Sequence, residues 1–155
     1  MMDELLDITK VLDKKLINVD LKSNTKEGVI AELSQMLAKE SYLIDEKQFI
    51  ADVMQREEEG LTGLGEGIAI PHGKSEGVQT TTIAIGKLSN GLEWGSLDDQ
   101  PVHVIILFAV KNTDATTMHI KLLQKVAIML ADNNFLTSLR EANTADEIYE
   151  LILGR

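Results

Sequence analysis

The run Pro101-Val-His-Val-Ile-Ile-Leu-Phe-Ala-Val110 restricts the fold more than any other stretch of this chain. A strand with one wet face alternates apolar and polar residues. This run is apolar at nearly every position, the pattern of a strand covered on both faces. Helical patterns surround it. Residues 3 to 14 are amphipathic and suit a short helix. Ser23, Asn24 or Thr25 caps a helix to about Lys39, whose Val29, Ile30, Leu33, Met36 and Leu37 share one face. Asp45 caps a second helix through Ile50 and Val53 to about Arg56; Glu57, Glu58, Glu59 and Gly60 then read as a helix end and a solvated acidic loop. Asp114, Thr116 or Thr117 caps a helix reaching about Leu130, a short helix lies near Phe135 to Arg140, and Thr144-Ala-Asp-Glu147 matches a capping box opening a last one.

Strand patterns are interleaved with these helices. Ile17-Asn-Val-Asp-Leu21 alternates as a half-buried strand does, Ile68-Ala-Ile70 reads as a short buried one, and Thr80 to Lys87 as another, followed by a turn at Ser89-Asn-Gly91. Interleaving of this kind, with one strand apolar on both faces, predicts a layered α/β domain with a largely parallel or mixed sheet. No repeat, low-complexity tract or linker divides the 155 residues, so a single domain over 1–155 is expected.

Composition removes several functional classes. Cysteine is absent, which excludes disulfides, cysteine nucleophiles and cysteine-based zinc sites and suits a reducing compartment. The net charge of −10 argues against nucleic acid as the main ligand. No stretch has the length of a membrane span, and Met-Met-Asp-Glu-Leu-Leu lacks the basic region of a signal peptide, so a cytoplasmic protein is expected.

The candidate chemistry centres on Thr62-Gly-Leu-Gly-Glu-Gly-Ile-Ala-Ile-Pro-His-Gly-Lys74. Gly63, Gly65 and Gly67 form a pliable approach whose backbone can come close to another molecule. The run has the spacing of neither nucleotide-binding fingerprint. Pro71 ends the Ile68–Ile70 strand and places His72 just past it, while Gly73 leaves one side of the imidazole open and permits a turn. Stepping by helical turns from His119 reaches Leu122, Leu123, Val126, Ala127 and Leu130. His119 therefore points inward from the first turn of a helix, where desolvation and the helix dipole favour the neutral ring. By position alone it reads as a buried histidine satisfied by a carbonyl. His103, at the start of its strand, and Trp94 read as structural.

The stretch from Gly67 to Gly73, Gly-x-Ala-x-Pro-His-Gly, resembles the active-site signature of the mannitol/fructose-type enzyme IIA family of the bacterial sugar phosphotransferase system. The resemblance extends to the Arg56-Glu57 pair, the step from Gly91 to Pro101-Val102, and His119 opening a helix. It implies a mixed sheet with helices on both faces, and a covalent phosphoryl relay on His72. His119 would then lie beside it, orienting the ring or donating to a phosphate oxygen. Arg56 would stabilise the phosphate, as its forked guanidinium suits, and Gly63, Gly65, Gly67 and Gly73 would supply backbone donors along the approach. The implied donor is the phosphocarrier protein HPr, and the implied acceptor a cysteine of an enzyme IIB serving a membrane enzyme IIC. The resemblance implies neither cofactor nor metal. A regulatory module of the nitrogen-related type, binding targets according to phosphorylation state, is the competing expectation. A small-molecule phosphate or nucleotide enzyme would need a metal-binding carboxylate set or a true P-loop, and the sequence contains neither.

Overall fold

The computed structural model describes residues 11–114 and 118–154. Six strands form one mixed sheet: β1 (Ile17–Asn18), β2 (Gly63–Gly65), β3 (Ile68–Ala69), β4 (His72–Ser75), β5 (Thr82–Leu92) and β6 (Val102–Lys111). Their order is β1-β5-β6-β3-β2, with β4 following β3 along the same edge of β6. The pairings β1–β5, β3–β6 and β4–β6 are parallel, while β5–β6 and β2–β3 are antiparallel.

Strand β6 is the centre, and its alternation divides the core. Ile105, Leu107 and Ala109 face Leu33 and Leu37 of α1 (Lys26–Lys39) and Phe49 and Val53 of α2 (Glu46–Glu59). Ile106, Phe108 and Val110 face the other layer, built from α3 (Met118–Leu130), α4 (Asn133–Glu141) and α5 (Ala145–Leu153). Both faces of β6 are dry, as its composition requires, and helices cover the sheet on both sides. Among the described residues no helix is long and apolar enough to cross a membrane.

The helix starts follow local chemistry. The side chains of Thr25, Asp45, Asp132 and Thr144 each accept from a backbone N–H of the first turn. At α5, Glu147 also turns back onto the N–H of Asn143. Residues 3–10 of the expected first helix, and Thr116 and Thr117 among the expected caps of α3, lie outside the described residues. Lys14–Leu16 form a short 3-10 turn, and strand pairing at Ile17 stops after Asn18, whose side chain accepts from the N–H of Asp20.

Three local expectations are corrected. Ser89-Asn-Gly91 makes no turn; β5 continues to Leu92, with an irregular register after Lys87. A Cβ at Gly91 would lie 2.6 Å from Cβ of Pro101, so glycine serves close packing there. Helix α2 does not end at Arg56 but runs through Glu59, and the Glu57 side chain is 3% exposed instead of solvated. His72 lies past the end of β3, but no turn follows at Gly73, because His72 opens a new strand, β4, paired with Phe108 of β6.

Candidate functional site

His72 stands where β3 gives way to β4. Pro71 contributes no N–H, but its carbonyl accepts from the N–H of Phe108 at 2.9 Å, which carries the chain along β6 and fixes the next residue in the sheet. Gly73 then brings the strand against α2. A Cβ there would lie 2.7 Å from Cγ2 of Val53 and 3.1 Å from Cε1 of Phe49. The need for glycine is this close approach, not the turn expected after His72.

Each nitrogen of the His72 ring has a defined neighbour. Nδ1 lies 3.3 Å from the carbonyl oxygen of Ile70, and Nε of Arg56 donates to Nε2 at 3.2 Å. A carbonyl only accepts and a guanidinium only donates, so the two contacts together select the tautomer with the proton on Nδ1 and the lone pair on Nε2. Burial lowers the His72 pKa, and the positive charges of Arg56 and Lys74 act in the same direction; the carbonyl of Ile70 opposes them. His72 as a whole is 8% exposed.

His119, from the first turn of α3, packs against His72 with ring centroids 4.9 Å apart and planes at 65°. It is 5% exposed, and among the described residues its Nε2 has no hydrogen-bond partner. Burial, followed by the influence of His72, Lys74 and Arg56, pushes its pKa down to about 4. An unpaired buried ring nitrogen costs stability unless a further group meets it. Phe108 closes the floor, its ring centroid 6.3 Å from that of His72.

Arg56, His72, Gly73 and His119 are therefore brought together from α2, β4 and α3. Gly63, Gly65 and Gly67 are not. Gly65 pairs with Ile68, which is in register with Val104, while His72 is in register with Phe108, about 13 Å farther along β6 at the usual strand rise. Gly65 and Gly67 have φ of 99° and 79°, and Gly63 abuts Ser96 so closely that a Cβ would clash. Gly65 and Gly67 shape a narrow hairpin at the other end of the sheet, beside Asp98 and His103, and Gly63 packs on Ser96 and Gly95; they do not line the approach to His72.

The sequence reading missed a polar network behind Arg56. Glu57 accepts from the Thr62 hydroxyl at 2.7 and 3.0 Å and from Lys26 Nζ at 2.9 Å, and Thr62 Oγ1 accepts from Trp94 Nε1 at 2.8 Å. One signal was available. Phe49, Val53 and Glu57 are spaced by four, so Glu57 prolongs the buried stripe of α2 while Glu58 and Glu59 leave it.

Comparison with known proteins adds independent findings. The family described as phosphoenolpyruvate-dependent sugar phosphotransferase system, EIIA 2, matches residues 10–154. The fructose-specific EIIABC component of Bacillus subtilis (strain 168) is 34% identical over 147 residues, covering 95% of this chain but 23% of that protein. The chain thus spans about a quarter of that relative's length. The nitrogen regulatory protein IIA-Ntr of Neisseria meningitidis superposes with a TM-score of 0.84 at 29% identity, covering 94% of this chain and 98% of that one. In a complex of mannitol enzyme IIA with phosphorylated mannitol enzyme IIB from Escherichia coli, a matching chain superposes with a TM-score of 0.78 at 27% identity, covering 93% and 98%.

Proposed function

The chain belongs to the type 2 enzyme IIA family of the phosphoenolpyruvate-dependent sugar phosphotransferase system, and from that premise we propose that it is a phosphoryl carrier whose nucleophile is Nε2 of His72. The observation that carries this reading is the pair of contacts on the ring, Ile70 to Nδ1 and Arg56 to Nε2. They leave a neutral imidazole with its lone pair on the side where the guanidinium waits.

Nε2 attacks the phosphorus of a phosphohistidine on the donor. A new N–P bond forms as the donor's N–P bond breaks, and the electron pair returns to the donor imidazole. Such a transfer proceeds through a loose transition state, so positioning and charge on the equatorial oxygens matter most. Arg56 moves from Nε2 to those oxygens, and the unpaired Nε2 of His119 meets one of them by donating its proton-bearing edge. Nδ1–H stays on the carbonyl of Ile70 and spreads the positive charge of the phosphorylated ring. The acceptor's thiolate sulfur then attacks phosphorus; an S–P bond forms as the N–P bond breaks, and its electron pair returns to Nε2 of His72. Neither step consumes a cofactor or a metal.

We assign HPr as the donor and a cysteine of an enzyme IIB as the acceptor, with a cytoplasmic setting. The IIB assignment is supported by the mannitol IIA–IIB complex and by the EIIABC name of the fructose relative; the sugar is of the fructose or mannitol class. A regulatory role is the second reading, favoured by the TM-score of 0.84 to a nitrogen regulatory protein.

Intact-mass analysis after incubation with phosphoenolpyruvate, enzyme I and HPr tests the carrier. One acid-labile phosphoryl increment is expected on the wild type and none on His72→Ala. Discharge by enzyme IIB supports sugar transport, and retention in the presence of several IIB proteins supports the regulatory reading. A folded wild type that stays unlabelled overturns both.

A further inference from the structure

We propose that Glu57 is a positioning residue for His72: through Thr62 it holds the carbonyl that faces Nδ1, and through the helical turn it shares with Arg56 it holds the guanidinium that faces Nε2. The inference rests on the carrier reading for its kinetic consequence, but its geometry is independent of it.

The contacts close on themselves. Indole N–H is a donor only, so Trp94 Nε1 at 2.8 Å obliges the Thr62 oxygen to accept, and the Thr62 proton is left for the Glu57 carboxylate at 2.7 Å. The hydroxyl cannot rotate without losing one of these bonds. The carbonyl of the same residue, Thr62, accepts from the N–H of Ile70 at 2.9 Å. The carbonyl of Ile70 lies 3.3 Å from Nδ1 of His72. From Nε2 the path continues to Nε of Arg56 at 3.2 Å, and Arg56 is joined to Glu57 by one peptide bond. Nη1 of Arg56 also reaches the carbonyl of Gly60 at 3.5 Å, so the Gly60–Thr62 segment is held by neighbouring side chains of the same helix.

Glu57 is charged and its side chain is 3% exposed, so it requires compensation. Lys26 supplies it at 2.9 Å, with its ammonium also 5.0 Å from the centre of the Trp94 ring. A carboxylate at this place anchors four elements to one point: α2, the start of α1, the segment before β2, and the loop carrying Trp94. Stability alone does not demand a charge here, because replacing a buried ion pair together with its partners by apolar groups is often neutral. What an apolar group could not do is keep the hydroxyl of Thr62 in a single orientation, with the Ile70 carbonyl set behind it.

The test uses the full chain and the variants Glu57→Leu, Thr62→Val and Thr62→Ser. Thr62→Val removes the hydroxyl at nearly constant shape and buries no new charge, so it remains informative if Glu57→Leu folds poorly. Ring-nitrogen chemical shifts of His72, read by NMR with no phosphoryl donor present, report the tautomer. Phosphorylation rates across a range of phosphorylated HPr concentrations separate maximal rate from half-saturation. Expected are an Nδ1–H tautomer in wild type and Thr62→Ser, and a mixed tautomer in Thr62→Val and Glu57→Leu. The maximal rate of the latter two should fall about 10-fold at unchanged half-saturation, as slight misplacement of reacting groups does. Folded variants that lose only thermal stability, with tautomer and maximal rate as in wild type, overturn the proposal. If wild-type protein shows the tautomer but takes no phosphoryl group, the carrier reading fails, while the tautomer comparison still decides the role of Glu57.

Discussion

His72 and His119 are both held neutral, yet they occupy different electrostatic positions. His72 keeps partners on both nitrogens, whereas His119 has an unpaired Nε2 and a pKa pushed down to about 4 by burial and by the charges around it. The sign of the stability effect follows. With the unfolded value near 6.5, falling pH protonates the unfolded chain first, so stability contributed by neutral His119 is complete above about pH 6.5 and is lost down to about 4. That difference corresponds to about 3 kcal/mol. Denaturant unfolding at pH 7 and pH 4.5 should show the wild type losing about 2–3 kcal/mol more than His119→Gln; equal losses would refute the neutral-ring assignment. At Arg56, substitution by Ala should slow phosphoryl transfer on the order of 10²-fold, the usual loss for a donor aimed at developing charge. Lys should restore only part, because an ammonium cannot bind two phosphoryl oxygens in forked geometry. Rapid-quench kinetics on folded variants checks this, and a full-rate Arg56→Ala excludes the assigned role. His72 and Arg56 could be picked out of the sequence because they stand in the motif and the pair that carry the resemblance, whereas the helical face of His119 gave only its burial and the resemblance its place beside His72. Glu57 was hidden by its two acidic neighbours, which share its charge but not its direction.

Helices capped by threonine or aspartate start where their sequences say, since the capping oxygen and the first-turn N–H groups are a few residues apart. Boundaries set by distant partners could not be read the same way. The end of α2 depends on Thr62 and Lys26, and the length of β5 on its register with β6. The expected phosphate approach failed for the same reason: Gly63, Gly65 and Gly67 are near His72 in sequence, but β3 and the step at Pro71 carry them to the other end of the sheet. Gly73 is the position where an element's fit is most exposed to test. Gly73→Ala forces β4 and α2 apart, because Cβ would stand 2.7 Å from Val53; the expected cost is about 1–3 kcal/mol, with slower transfer as His72 shifts. Lys87 offers a contrast at the distant end. Its ammonium donates to the carbonyls of Leu139, Arg140 and Ala142, closing the end of α4. Lys87→Met should cost about 1–3 kcal/mol through those carbonyls and leave the transfer rate unchanged. Thermal or denaturant melts with parallel labelling assays separate the two variants. Equal effects on rate would contradict the placement of the site.

Across the whole molecule, β6 divides the core into two layers, and the site takes one group from each. Arg56 comes from α2, over one face, and His119 from α3, over the other, with β4 between them. Without a phosphoryl group, Arg56 rests on His72 and Nε2 of His119 is unpaired, so among the described residues no hydrogen bond from the ring of His72 reaches α3. A phosphoryl group on Nε2 would change that by accepting from both layers at once. Protection gained by such a bridge is local, because elements open separately from the global fold. Hydrogen exchange on phosphorylated protein should therefore slow in the last turn of α2 and the first turns of α3, while α5, which packs on the same sheet but contributes nothing to the site, keeps its rates. The Arg56→Ala variant, once phosphorylated, should lose the effect in α2 and retain it in α3. Uniform slowing across all helices would mean that phosphorylation stabilises the fold as a whole and that no bridge between the layers forms. Unchanged exchange in α3 would mean that His119 does not meet the phosphoryl group.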